Sequence, residues 1–198
     1  YGLTTVGLYA MIAQRHMHMY GTTSEQLAEV AVAIRKHASM NPEALFRTPI
    51  TVDDVVNARV ISSPLHLLDC CVITDGGGAV VVASPELARN CKQSPVWVLG
   101  VGEALAHQGA GKRNLMEIAA KQSTTPAFDM AGVTHKDIDM AMIYDSFTIT
   151  VIETLEDLGF CKKGEGGDFV SGGRLEIGGE LPINTDGGGL SSNHPGMR

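Results

Sequence analysis

Two short apolar runs, residues 79–83 (Ala79-Val80-Val81-Val82-Ala83) and 96–102 (Val96-Trp97-Val98-Leu99-Gly100-Val101-Gly102), constrain the architecture of this chain more than any other feature. Neither alternates with polar residues, so a strand built from either is expected to be covered on both faces. Helical patterns stand on each side to do the covering. Over residues 5–20, Val6, Tyr9, Ala10, Ala13 and Met17 recur at helical spacing, and Gly21 closes the run. A second helix follows the hydroxyl caps Thr23 and Ser24. Its apolar face carries Leu27, Val30, Ala31 and Ile34, and Asn41-Pro42 breaks it.

The pattern continues in alternation. Residues 52–60 read as a short helix and residues 71–73 as a strand, with Asp75-Gly76-Gly77-Gly78 leading into the run at 79–83. Ser84-Pro85 is a helix start with proline at its first position. Residues 115–121 predict a helix, and a further helical pattern runs from Pro126 to Met130, stopped by Gly132. Thr134-His135-Lys136-Asp137 resembles a capping box with Asp in the Glu position. Residues 138–143 predict a strand that delivers Tyr144-Asp145-Ser146-Phe147, then a helix runs over 148–158 to Gly159. Strands alternating with helices imply an α/β layer architecture. The composition shift at Gln93-Ser94-Pro95 places a boundary between residues 1–93 and 94–198.

Bulk properties exclude several classes. A formal charge of −7 argues against a nucleic-acid groove, which needs clustered Lys and Arg. No apolar run approaches the roughly 20 residues of a membrane helix, and no secretion signal is visible. Cys70, Cys71, Cys91 and Cys161 lack CxxC spacing and read as reduced thiols of a cytoplasmic protein. His16 and His18 lie two apart on a helix and cannot share a face, and His37 is a helix away, so no metal site is expected. The chain starts at Tyr1 and stops two residues after Gly196, which reads as a piece of a longer protein.

Chemistry concentrates in two places. Near the end, a glycine run and a polar patch precede His194-Pro195, where proline pushes the histidine towards extended backbone. That is how a loop presents an imidazole base. At the carboxyl edge of the strand 138–143, Tyr144 is placed for a proton or hydrogen-bond role and Asp145 for a structural or electrostatic one. The same residues also fit a core aromatic followed by a helix cap at Asp145 or Ser146. Ser146 lacks the G-x-S-x-G elbow of a serine nucleophile. Neither Gly76-Gly77-Gly78 nor Gly187-Gly188-Gly189 has a nucleotide-loop form, which leaves tight backbone packing or a backbone oxyanion site.

Together the ordered motifs resemble the thiolase superfamily. Leu155-Glu156-Asp157-Leu158-Gly159-Phe160-Cys161, Gly164-Glu165-Gly166-Gly167, Gly178-Gly179, Ile183-Asn184-Thr185-Asp186-Gly187-Gly188 and His194-Pro195-Gly196 are similar to its C-terminal half. The sterol-carrier-protein-type branch, often called lipid-transfer proteins or acetyl-CoA acetyltransferases, is the nearer likeness. Thr74-Asp75-Gly76-Gly77-Gly78-Ala79 looks like that family's Asn-Asp-Gly-Ala-Ala segment. Tyr144-Asp145-Ser146-Phe147 stands where it has Asn-Glu-Ala-Phe or His-Asp-Cys-Phe.

The resemblance implies a layered αβαβα fold, incomplete in this chain, with residues 1–93 holding the loop region and last strands of the first half. It implies a coenzyme-A-dependent acyltransferase acting on 3-oxoacyl-CoA, with the CoA thioester as substrate and no tightly bound cofactor. His194 and Tyr144 are then the catalytic candidates, and Asp145, Asn193, Gly188 and Gly189 the substrate-binding ones. Neither family cysteine falls in this chain, so no nucleophile is assigned and the 198 residues alone are expected to be inactive. Lys112 and Arg113 are candidate anchors for coenzyme A, or equally a solvated pair. Two departures alter the expectation: Asn193 replaces the usual glycine, and Tyr144 replaces Asn or His. Tyrosine there resembles the thiolase-like aldolases of steroid side-chain breakdown, which cleave a β-hydroxyacyl-CoA without an acyl-enzyme. That likeness implies an acyl-CoA-binding OB-fold partner besides a homodimer. A non-catalytic acyl-CoA- or lipid-binding scaffold is the third reading.

Overall fold

A computed structural model of the chain describes residues 2, 4–105 and 114–195. Lys112, Arg113 and Gly196 lie outside the described residues. Helix α1 (Thr5–Tyr20) starts where the Thr4 hydroxyl accepts the Gly7 N–H, and it ends at Gly21 in the left-handed region. Helix α2 (Ser24–Met40) opens on a reciprocal capping box between Thr23 and Gln26. Its residues Leu27, Ala28, Val30, Ala31, Ala33, Ile34 and Ala38 are all buried, so apolar residues line more than one face. A helix of that kind belongs at the centre of a fold, and α2 is there.

Helix α3 (Val52–Val56) is capped by Thr51 and Asp54 and leads into an antiparallel hairpin. The hairpin pairs β1 (Val60–Ser62) with β2 (Leu65–His66), Val60 opposite His66. After a 3₁₀ turn at Leu67–Asp69 come α4 (Pro85–Ala88), α5 (Ala120–Ala131), α6 (Thr148–Leu158) and α7 (Gly166–Val170). A π-helical turn, Gly188–Ser192, closes the series. Helix α2 packs on α3, α6, α7 and this turn, while α6 also meets α1 and α5. One core, from Ala10 and Leu27 to Ile152, Phe169 and Leu190, draws residues from both sides of positions 93–95.

Charges are buried inside this core. His16 on α1 bonds Thr22 through Nδ1 at 2.7 Å and faces Glu156 of α6 through Nε2. Glu156 also accepts the N–H groups of Gly164 at 3.0 Å and Gly166 at 2.9 Å, and it pairs with Lys163 at 3.2 Å. Lys163 reaches Asp157 at 2.7 Å, whose carboxylate accepts the Ile118 N–H at 2.6 Å. His37 accepts the Ile177 N–H at 3.1 Å. The histidines of the first two helices thus include two that brace the interior.

Several expectations are corrected. Among the described residues, 71–73, 79–83, 96–102 and 138–143 form no strand ladder; isolated bridges join Cys70 with Phe147 and Ala141 with Ile183. The physical reason is pairing: a continuous apolar run becomes a strand only when neighbours offer N–H and C=O groups along its edges. Among the described residues nothing forms such a ladder with 79–83, and Val80, Val81 and Val82 are 89%, 92% and 88% exposed. The helix expected over 52–60 stops at Val56, because the Asn57 side chain bonds back to the Asp53 carbonyl and Val60 enters β1. The two patterns around Pro126 form one helix, α5, with the proline inside it. Residues 115–119 precede it as a turn, held by Asn114 Oδ1 on the Met116 N–H and by Asp157 on Ile118. The capping box at Thr134 and Asp137 is present, opening a single 3₁₀ turn.

Candidate active site

The site is built where the segment ending at Ile143 meets the loop that ends at His194. Ala141 donates its N–H to the Pro182 carbonyl at 3.0 Å and accepts the Asn184 N–H at 3.0 Å. This short parallel contact delivers Tyr144 to the surface, where it stays 43% exposed. The next residue, Asp145, turns inward and is fully buried. Alternation of side chains along an extended segment produces that division of labour.

Asp145 accepts the Gly189 N–H at 2.7 Å and the Leu190 N–H at 3.0 Å. The carboxylate therefore sits behind the glycine loop and organises the π-helical turn. Gly187 opens this turn with φ 101°, a conformation that L side chains rarely adopt. A Cβ at Gly188 would stand 2.1 Å from Asp145 Oδ2, and one at Gly189 would stand 2.8 Å from Oδ1 and 3.0 Å from His194 Cδ2. The glycines thus permit backbone to lie directly on a buried carboxylate. Their N–H groups are already engaged, Gly188 on Asp186 within the loop and Gly189 on Asp145 behind it.

From this base the chain extends to His194, whose backbone N–H bonds Thr74 Oγ1 at 2.9 Å. The imidazole is half-buried, and its Nε2 lies 3.1 Å from the Tyr144 hydroxyl with ring centroids 5.5 Å apart. The two catalytic candidates named from sequence therefore touch. Burial first, then the nearby Tyr9 hydroxyl, pushes the Tyr144 phenol above its ordinary pKa. Near neutral pH it is a neutral donor that can also accept. Asn193 is exposed, and its side-chain amide donates to Ser192 Oγ at 3.2 Å.

The remaining neighbours complete the setting. Segment 70–74 runs past the loop, with Cys71 N–H on the Ser146 carbonyl and Val72 N–H on the Gly189 carbonyl. Ser146 is buried and its hydroxyl shares a hydrogen bond with Thr150 at 3.1 Å, while Phe147 occupies the N-cap of α6. The expected cap at Asp145 or Ser146 is thus replaced, because Asp145 serves the loop instead. Burial, followed by neighbouring acidic charge, pushes the Cys70 and Cys161 thiols up to about 12 and Cys71 upward as well. None of these three is an activated nucleophile. Arg35 of α2, itself buried, holds Ser191 Oγ at 2.7 Å and so anchors the far side of the turn.

Sequence reasoning assigned no role to Thr74, Arg35 or Asn184, although all three brace the site. Asn184 and Thr74 sit inside the glycine-rich motifs that carry the family likeness, and Arg35 lies on a helix whose pattern is otherwise apolar on that face. A polar residue at an otherwise apolar helical position was the signal for Arg35.

Residues 102–198 match the thiolase C-terminal domain-like family. The chain is 45% identical over 203 residues to a steroid side-chain-cleaving aldolase of Thermomonospora curvata, covering 96% of this chain and 51% of that protein. It is 41% identical over 196 residues to an acetyl-CoA acetyltransferase of Methanothermobacter thermautotrophicus, covering 98% of this chain and 51% of that one. A solved structure titled Ltp2-ChsH2(DUF35) aldolase superposes with a TM-score of 0.91 at 43% identity, over 97% of this chain and 52% of the other. The chain thus spans about half the length of the curated relatives it matches. With its motifs in family order, the chain belongs to the thiolase superfamily and has a thiolase-like fold.

Proposed function

We propose that this chain carries the acid–base pair of a thiolase-like retro-aldol lyase, which cleaves a β-hydroxyacyl-CoA into a carbonyl compound and a shorter acyl-CoA. The observation that carries this reading is the 3.1 Å contact between the Tyr144 hydroxyl and His194 Nε2. In the cleavage the β-hydroxyl loses its proton and its C–O bond becomes C=O. The Cα–Cβ electron pair passes into the thioester enolate, which then takes a proton at Cα. Tyr144 Oη receives the hydroxyl proton as its own passes to His194, and the pair returns a proton to the enolate carbon. Positioned acid–base groups of this kind supply about 10²–10⁴-fold in rate. The similarity to the Thermomonospora aldolase supports the same reading.

The acetyl-CoA acetyltransferase relative favours a second reading, acyl transfer through a cysteine thiolate. It needs a thiol other than Cys70, Cys71 and Cys161, whose protons are held tightly. For either chemistry, we take the coenzyme A thioester as substrate, with Asn193 beside it and Asp145, Gly188 and Gly189 shaping the loop. A homodimer in the cytoplasm, divided near residue 93 in each subunit, completes the proposal. The paired name of the solved aldolase supports a second protein in the assembly, which we take to be an acyl-CoA-binding OB-fold partner. Among the described residues no helix is long and apolar enough to cross a membrane.

The deciding experiment uses the full gene product, offered 3-hydroxyacyl-CoA and 3-oxoacyl-CoA panels in parallel. Carbonyl release from the hydroxy series, lost by at least about 100-fold in Tyr144→Phe and His194→Ala, is the expected result. Thiolysis of the oxo series through a trapped acyl-enzyme, with Tyr144→Phe unaffected, overturns it.

A further inference from the structure

Asn184 has the one left-handed backbone among the described non-glycine residues, with φ 45°, and it is 2% exposed. A buried asparagine in that conformation needs a reason, and its side chain supplies one. Its Oδ1 accepts the Ile143 N–H at 2.7 Å and its Nδ2 donates to the Ile143 carbonyl at 2.7 Å. The amide therefore satisfies both main-chain groups of the residue immediately before Tyr144.

The geometry amounts to an isolated parallel bridge extended by a side chain. Up to Asn184 the backbone pairs with residue 141 in parallel fashion, the Asn184 N–H on the Ala141 carbonyl at 3.0 Å. At Asn184 the main chain turns away into the left-handed region and heads for Gly187 and the glycine loop. A carboxamide has the same donor and acceptor as a peptide group, so it supplies the next pair of bonds beyond the bridge, at Ile143. The chain thus leaves to build the His194 loop without releasing its grip on the Tyr144 segment. Asp145 makes the reciprocal tie, from the Tyr144 segment to Gly189 and Leu190. The two ties are contiguous: a Cβ on Gly188 would meet both Asp145 Oδ2 at 2.1 Å and Asn184 Nδ2 at 3.1 Å.

We propose that Asn184 is a positioning residue that sets the Tyr144 hydroxyl at proton-transfer distance from His194. The proposal rests on the reading of Tyr144 and His194 as the reacting pair. Few other side chains would serve. Gln is one methylene too long for the 2.7 Å contacts, Asp keeps only the acceptor, and β-branched residues resist positive φ.

The test is a double-mutant cycle in the full gene product, with carbonyl release from a 3-hydroxyacyl-CoA as the readout. Asn184→Gly removes the amide while allowing the φ of 45° without strain, so it is the variant of choice. It should lower kcat by about 10- to 100-fold with KM changed less than about 3-fold, as expected when a 1 Å displacement spoils a reactive geometry. In the Tyr144→Phe background it should cost nothing further, because nothing is left to position. Asn184→Asp, which retains the bond to the Ile143 N–H, should recover part of the loss. Wild-type kcat in Asn184→Gly overturns the proposal, as does an equal loss in both backgrounds, or a kcat restored in full by cooling below a lowered Tm. Full turnover by Tyr144→Phe instead removes the underlying reading of the pair, whatever Asn184 does.

Discussion

His16 Nε2 and Glu156 Oε1 meet at 3.1 Å with both side chains sealed from solvent, joining two helices that lie 140 residues apart in the chain. Burial pushes the Glu156 carboxyl up, but hydrogen bonds from His16 and Gly166 and the charge of Lys163 bring it below its ordinary value. Breaking one partner of such a cluster leaves uncompensated charge, so Glu156→Gln should cost about 3–5 kcal/mol in urea unfolding. Because the folded pKa is depressed, that stability is present above the unfolded pKa and disappears as pH falls through the folded one. The difference between wild type and Glu156→Gln should accordingly shrink in acid.

Glu153 behaves in the opposite sense. Desolvation is the main force raising its carboxyl to about 8, against the opposing charge of Lys163, and Oε1 has no hydrogen-bond partner. A raised folded pKa gives stability that is complete below the unfolded pKa, near 4.5, and lost as pH rises to about 8. Glu153→Gln should therefore be nearly neutral at pH 4 and stabilising at pH 9, by a few kcal/mol on the order implied by such a shift. Thermal melts of the two proteins at several pH values measure the crossing.

Asp145→Asn tests the carboxylate behind the loop. An amide can accept from only one of the two N–H groups of Gly189 and Leu190, and its own N–H₂ then faces the other donor. Loss of about 2 kcal/mol of stability is expected, together with a fall in kcat larger than the change in KM. Chemical unfolding and steady-state kinetics on the same preparation give both numbers.

Gly189→Ala should separate position from stability more sharply. The added methyl lands 2.8 Å from Asp145 Oδ1 and 3.0 Å from His194 Cδ2, so relief comes by displacing the imidazole or the loop. We expect at least about a 100-fold loss of kcat from a shift of this size. A crystal structure of the variant checks whether the Tyr144–His194 contact of 3.1 Å has opened.

Exposed apolar runs carry their own prediction. Val80, Val81 and Val82, with Val96 at 95% exposure, offer edges and apolar surface to any second strand. The 198-residue chain should self-associate as its concentration rises, and Val81→Lys should weaken that association in sedimentation experiments.

Helices were legible in the sequence because their signals are local. Thr23 with Gln26 and the glycines at 21, 132 and 159 each act within one or two turns of their helix. Strand pairing is not local: the run at 79–83 looks the same whether or not a neighbour lies beside it. In the candidate site, motif positions single out His194 and Tyr144, and the structure brings the two side chains into contact. Their supports were not, since nothing in the spacing of Asn184 and Ile143, 41 residues apart, says that an amide will stand in for a peptide. For Asp145 the sequence offers both a structural or electrostatic role and a substrate-binding one, and its buried carboxylate faces the glycine loop.

Three of the ties that hold Tyr144 to His194 come from the interior, Asp145, Asn184 and, through Ser191, Arg35, and the half-buried Thr74 adds a fourth. On the outer side stand Met142, 56% exposed, and the exposed Asn193. On the proposed reading, the inner face of these short segments holds the reacting pair and the outer face meets the acyl group. Substitutions at Met142 or Asn193 would then leave the supports of the Tyr144–His194 contact in place, so one scaffold could change its substrate without relearning its chemistry.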